Sequence, residues 1–181
     1  IRALFTGMLA RDTSGAHYFK GPFGVFVDPQ GQVYVADDFG HKILRFDALG
    51  TLLETIGKQG KNVGEVAWVD ALVTDATGRL YIADTGNNRI QILDAQRNVV
   101  RVMGTSGSRP GELQSPRGIA LDAHDQVYVA DWTNDGAADV WIVGSNNRVR
   151  FNTTYVAEFV RTVSNGLGIT TTVTAKYTAA F

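Results

Sequence analysis

A five-residue run, Val33-Tyr34-Val35-Ala36-Asp37, returns as Leu80-Tyr81-Ile82-Ala83-Asp84 and again as Val127-Tyr128-Val129-Ala130-Asp131, 47 residues apart each time. Val27-Asp28, Thr74-Asp75 and Leu121-Asp122 keep the same register, nine residues before the recurring Asp. A fixed period of this length means that the chain is a series of like supersecondary units that bury their apolar faces against one another. What every unit shares then serves the unit, and function has to be sought in what departs from the repeat.

Each unit reads as four short strands. In the first these are Gly24 to Val27, Val33 to Ala36, Lys42 to Phe46 and Leu52 to Ile56, joined by the turns Asp28-Pro29-Gln30-Gly31 and Asp47-Ala48-Leu49-Gly50. The second has Ala71 to Thr74, Leu80 to Ala83, Arg89 to Leu93 and Val99 to Met103. Strands such as Leu80-Tyr81-Ile82-Ala83 are apolar at successive positions, which suits a sheet covered on both faces. Four antiparallel strands per unit, each sheet sandwiched between neighbours, predict an all-β chain of β-propeller-type blades. Ile1 to Gly7 matches Leu52 to Gly57 and Val99 to Gly104, so it reads as the last strand of an incomplete unit. Three units do not close a standard ring.

Composition removes several classes of function. The formal net charge is −1, with 17 Lys and Arg scattered among 18 Asp and Glu, so no basic face offers itself to nucleic acid or to an acidic lipid surface. The absence of cysteine removes disulfides, thiolate metal sites and Cys nucleophiles together. No apolar run approaches the roughly 20 residues of a membrane helix, so no membrane span is expected. No stretch reads as a signal peptide, and a chain opening on Ile1 reads as a mature product or a fragment.

The pattern G-[IV]-x-[VL]-D, then [VL]-Y-[VI]-A-D, then N-x-[RK]-[IV] resembles the NHL repeat. It is carried by Gly24 to Lys42, by Ala71 to Ile90, and by Gly118 to Val149 after an interruption, so the resemblance covers residues 1 to 151. It implies a propeller, usually of about six blades, of which this chain holds three. In the first unit Gly40-His41-Lys42 replaces Asn87-Asn88-Arg89.

The third unit breaks the pattern. Asp131-Trp132-Thr133 is followed by Asn134 to Ser145 and only then by Asn146-Asn147-Arg148-Val149; excising residues 134–145 restores the repeat. Asp131, Thr133, Asp135 and Asp139, with the turn glycine Gly136, alternate as oxygen ligands do in short loops that wrap Ca²⁺. With Val140-Trp141-Ile142-Val143 behind it, residues 131–143 resemble an FG-GAP (VCBS-type) loop, which implies calcium as the one cofactor. The twelfth position is Ile142 and not Glu, so an EF-hand is excluded. Residues 152–181 form a C-terminal extension: Tyr155 to Val163 reads as a fourth strand, and Ile169 to Phe181 alternates as one long half-buried strand. Thr162 to Val173 resembles the segment that follows such repeats in secreted bacterial Rhs/YD-type and toxin-complex proteins, which implies an extracellular or cell-surface bacterial setting.

Asp37, Asp84 and Asp131 recur with Lys42, Arg89 and Arg148, and a pair repeated in every unit reads as structural. His17, His41 and His124 share no ligand spacing, and no Ser stands in a triad pattern, so no catalytic residue is assigned. Asn152-Thr153-Thr154 is a formal N-glycosylation sequon at Asn152. Trp68 and Trp132 fit either a core or a surface that binds sugar or peptide, while Trp141 fits a core. The expected function is an extracellular, non-catalytic structural or interaction module whose partner is protein: a neighbouring subunit or a second copy added by strand or blade complementation, as an oligomer or filament. The alternatives are a fragment of a larger secreted toxin or adhesin that binds protein or glycan, and a lyase of the NHL kind.

Overall fold

The computed structural model describes residues 17–109, 111–132, 138–143, 148–151, 156–164 and 170–178, with side chains described as far as residue 132. It is the all-β, blade-built fold that the repeat predicts. The first blade pairs β1 (Pro22–Val27), β2 (Val33–Asp37), β3 (Lys42–Phe46) and β4 (Leu52–Ile56) in that order. The second pairs β5 (Val69–Thr74), β6 (Leu80–Asp84), β7 (Arg89–Leu93) and β8 (Val99–Met103) in the same way. All pairings are antiparallel.

Local chemistry closes the hairpins that join first to second and third to fourth strands. Asp28, Asp47, Asp75, Asp94 and Asp122 each turn Oδ1 back on two backbone N–H groups, those of residues two and four ahead. That is the Asx-turn for which these aspartates are suited. The fourth turn position is left-handed, with φ of 79° at Gly31 and 69° at Arg97, so glycine is preferred there but not required.

Packing between blades supplies the core. The far face of the first blade, Tyr34, Ala36, Ile43 and Ile56, buries against the near face of the second, Leu72, Leu80, Ile82 and Leu93. The far face of the second, Tyr81, Ala83, Ile90 and Met103, buries against Leu113, Val127 and Val129 of the third. Each fully buried side chain of this size is worth about 1.5–3 kcal/mol. The consecutive apolar residues of β2 and β6 are explained by this sandwiching, since both of their faces are covered.

The third sheet has six strands: β9 (Pro116–Leu121), β10 (Val127–Trp132), β11 (Ala138–Val143), β12 (Arg148–Phe151), β13 (Val156–Ser164) and β14 (Thr170–Thr178), each paired with the next. Here the structure departs from the sequence alignment. Arg148–Phe151 matches β7 in sequence, yet the strand beside β10 is β11, in unbroken register from Val127↔Val143 to Trp132↔Ala138. β12 lies one place further out, and the stretch beginning at Val156 forms a fifth strand instead of the expected fourth. The physical reason is proximity: Ala138–Val143 is apolar but for Asp139, follows β10 after five residues, and closes a hairpin at lower entropic cost than a strand that starts sixteen residues on.

Candidate functional site

Register places one extra residue at the same point in every blade. Pro22 pairs with Asp37 and Gly24 with Ala36, Val69 with Asp84 and Ala71 with Ala83, Pro116 with Asp131 and Gly118 with Ala130. The unpaired residues are Phe23, Asp70 and Arg117. These are β-bulges, which re-aim a side chain and are frequent beside binding sites. A backbone feature that repeats thus carries three different side chains, an aromatic ring, a carboxylate and a guanidinium. The first strands of successive blades pack against one another, so the three bulges lie in a row at one end of the blades, with Gly24 against the Asp70 carbonyl.

The bulges bring charges together. Arg117 Nε lies 3.8 Å from Asp70 Oδ2, and Asp70 is buried. Burial pushes the Asp70 carboxyl above the usual carboxylate range; Asp38 adds to the rise and Arg117 opposes it. Asp38, directly after the recurring Asp37, is raised for the same first reason, with His41 and Arg117 opposing. Its Oδ1 is buried and accepts no hydrogen bond.

Exposed aromatic side chains occupy the same end of the blades as these carboxyls. Phe23 is 64%, Phe39 67%, Trp68 53% and Trp132 59% exposed, all at the end where β1, β5 and β9 begin and β2 and β10 finish. Trp68 and Trp132 therefore stand on the surface. Trp68 sits in the left-handed region at φ 50° and lies over Gly86, where a Cβ would come within 2.8 Å of its ring. The His41 and Trp68 ring centres are 6.5 Å apart. Exposed aromatics together with partly desolvated charges are the composition of protein-binding surfaces, where Trp, Tyr, Phe and Arg are enriched.

The recurring aspartates do a different job. Asp37 accepts the N–H groups of Lys20 and Gly21, Asp84 that of Ala67, and Asp131 that of Gln114. Each carboxylate clasps the segment that enters its own blade. Asp84 has no exposed side-chain surface and also accepts from Asn87, Arg89 and Gln91; Arg89 Nε is 2.7 Å away and its other nitrogens donate to the carbonyls of Lys61, Asn62 and Glu65. In the first blade Lys42 stands 3.9 Å from Asp37, and Gly40 takes the place of Asn87. The Arg148 side chain lies outside the described residues.

Residues 71–93 match the NHL repeat. The match is the second blade from inside β5 to the end of β7, so this NHL unit contains the clasp of Asp84 and Arg89. Among solved structures, the chain is similar to a streptogramin B lyase, with a TM-score of 0.53 and 14% identity over 84% of this chain and 54% of that one. A candidate exported protein of Bacteroides fragilis gives 0.57 and 11%, over 91% and 53%. The WD40 repeats of RRP9 give 0.54 and 20%, over 79% and 42%. At these identities the likeness establishes the propeller-type fold. The chain spans about half the length of these structures, and its ring is incomplete. No curated protein sequence matches it.

Of the loop expected to wrap calcium, Thr133 and Asp135 lie outside the described residues, as does the Asp139 side chain. The backbone register sets Asp131 opposite Asp139 at the mouth of the hairpin that holds them. Asp131 is buried, and both of its oxygens face the Gln114 N–H. Among the described residues no three His, Cys, Asp or Glu side chains are grouped as metal ligands. Asn152 also lies outside the described residues. No helix among them is long and apolar enough to cross a membrane. The bulge site was missed in the sequence because comparison of repeats rewards identity, and Phe23, Asp70 and Arg117 have nothing in common. Their dissimilarity at one repeat position was the available signal.

Proposed function

We propose that this chain is a non-catalytic interaction module of an extracellular or cell-surface protein, binding a protein partner through the rim of Phe23, Phe39, Trp68 and Trp132. The observation that carries this reading is the exposure of all four aromatics at the end of the blades that also holds Asp38, Asp70 and Arg117. The recurring carboxylates are engaged in holding backbone, which leaves the rim as the place where this chain differs from a bare repeat. The likeness to an exported protein supports the extracellular setting, and the WD40 likeness supports protein partners. Ca²⁺ in the hairpin of Asp131 and Asp139 belongs to the same proposal; it is supported by their opposed register, with Thr133 and Asp135 supplying the remaining side-chain oxygens. The test is panning of a random displayed peptide library against the chain and against its Trp68→Ala and Trp132→Ala variants. Peptides retained by the parent and lost by the variants support the rim; equal recovery from all three overturns it.

The second reading is a lyase, favoured by one observation. Asp38 and Asp70 are carboxyls raised by burial beside an arginine, as a general acid would be. Incubation with a streptogramin B antibiotic, followed by mass spectrometry, separates the two readings. Turnover that disappears in Asp70→Asn would replace the interaction reading with this one.

A further inference from the structure

We infer that the cleft between the second and third blades is a binding site for a small zwitterion, an α-amino acid with an apolar side chain. The cleft lies at the end of the blades opposite the aromatic rim, and both of its walls face the interior of the series. The far face of the second blade supplies Tyr81, Ile92, Arg101 and Met103, and the third blade supplies Asp125 and Val127. Its volume is about 400 Å³, within the range of about 300–1,000 Å³ usual for small-molecule sites.

The equivalent position between the first and second blades shows what this cleft lacks. Tyr34, Arg45 and Glu54 stand in one row across the first sheet, each in register with the next. Arg45 Nε lies 2.9 Å from Glu54 Oε2, and Arg97 Nε reaches over from the second blade to within 3.2 Å of Oε1. The Arg97 guanidinium stands 6.0 Å from the centre of the Tyr34 ring. A carboxylate between two guanidiniums thus occupies this position. On the second sheet the same row, 47 residues on, is Tyr81, Ile92 and Arg101. An aliphatic chain replaces Arg45, and a guanidinium replaces the carboxylate of Glu54. Among the described residues the exposed Arg101 has neither a hydrogen bond nor an ion pair.

The opposite wall has changed as well. Asp125 holds the fourth position of its turn, where the first two blades carry Gly31 and Gly78. All three are left-handed, with φ of 57°, 79° and 81°. A carboxylate therefore enters the cleft from a backbone position that prefers glycine. It lies within electrostatic reach of the Tyr81 hydroxyl: burial and then Asp75 push that hydroxyl up, Arg79 opposes, and Asp125 adds to the rise. Arg79 Nε and the Tyr81 hydroxyl both donate to Asp75 Oδ2, at 2.7 and 3.1 Å. Arg101 and Asp125 are thus left as opposite charges that line one cleft without pairing, beside the buried Ile92 and Met103.

A ligand carboxylate satisfies Arg101 and a ligand ammonium satisfies Asp125, each as a charge-assisted hydrogen bond. An aliphatic or aromatic side chain on the same molecule covers Ile92 and Met103. A ligand with only one of the two charges leaves the other protein charge without its partner, and so binds less well.

Saturation-transfer difference NMR tests this, with the full chain titrated to millimolar L-leucine and, separately, L-phenylalanine. Two further probes are 4-methylpentanoate, which is leucine without its ammonium group, and isopentylamine, which is leucine without its carboxylate. The expected result is saturable binding of the amino acids, weaker by about tenfold or more for either analogue. Arg101→Gln and Asp125→Gly are each expected to weaken leucine binding by about tenfold. Arg101 is exposed, and glycine is what the other blades carry in place of Asp125, so neither variant threatens folding; unchanged far-ultraviolet circular dichroism verifies this. Absence of saturable binding of both amino acids overturns the inference. So does leucine binding that survives both substitutions, or an analogue that binds as well as leucine. The rim takes no part in this site, so leucine binding and peptide capture at the rim stand or fall separately.

Discussion

His41 Nδ1 accepts the backbone N–H of Trp68 at 3.2 Å, in the place where Asn88 Oδ1 accepts that of Ser115 at 2.8 Å one blade further on. The two acceptors occupy the same left-handed position, with φ of 50° and 54°. Each ties the end of one blade to the start of the next. Asparagine tolerates this backbone region and carries the better-placed acceptor. His41→Asn is expected to leave urea stability within about 0.5 kcal/mol of the parent, and His41→Ala to lower it by about 1 kcal/mol, the net worth of a hydrogen bond. Equal loss in both variants would show that the ring contact with Trp68 is what matters at this position.

The Asp84 clasp is predicted to be the costliest in the chain to break. Its carboxylate is fully buried, and removing it strands Arg89, whose side chain is only 12% exposed. Breaking a buried pair from one side costs about 3–5 kcal/mol. Asp84→Ala should therefore approach that loss in chemical denaturation. Asp37→Ala should cost less, because Lys42 lies 3.9 Å away and is more exposed. The reverse order would mean that the backbone donors, common to both sites, dominate.

Stability should depend on pH with two opposite signs. Asp47, Asp94 and Asp122 are held below the usual carboxylate range, with backbone or Asn98 side-chain hydrogen bonds as the main lowering influence in each. Their contribution is present above the unfolded value near ~3.9 and is lost as pH falls through the folded values. Asp38 and Asp70 are raised, so theirs is present below ~3.9 and is lost as pH rises through the folded values. Asp70→Asn is thus expected to raise the melting temperature at pH 7 and to have little effect at pH 3. A lower melting temperature at pH 7 would show that the Arg117 pair outweighs the burial of the charge.

For the hairpin of the third sheet, isothermal titration with Ca²⁺ is expected to give binding in the parent and none in Asp135→Ala. The same trace from both proteins would end the calcium proposal. Asp131→Asn serves as the contrasting variant. It should lose stability with or without calcium, because Asp131 faces the Gln114 N–H.

The strands of the first two blades were legible because their causes are local. An apolar run between Asx-turns, such as Val33 to Asp37 between Asp28 and Asp47, determines its own hairpin through residues two to four positions apart. The third blade was not legible in the same way. Arg148–Phe151 keeps the sequence of a third strand, yet β11 sits beside β10, since connectivity and pairing outrank resemblance.

The candidate site lay further from view. Phe23, Asp70 and Arg117 are 47 residues apart, share no chemistry, and fall into one row only because bulged first strands of adjacent blades pack side by side. The sequence by itself determined the period, the four-stranded unit, the turn chemistry and the recurring clasp residues, all of which follow from short-range patterns of apolar and carboxylate side chains. Tertiary structure alone decided that Asp84 reaches Ala67, that Asp70 loses its water beside Arg117, and that Arg101 and Asp125 line one cleft. Those facts depend on which blade face meets which, and a contact between distant residues is settled only when the faces between them have packed.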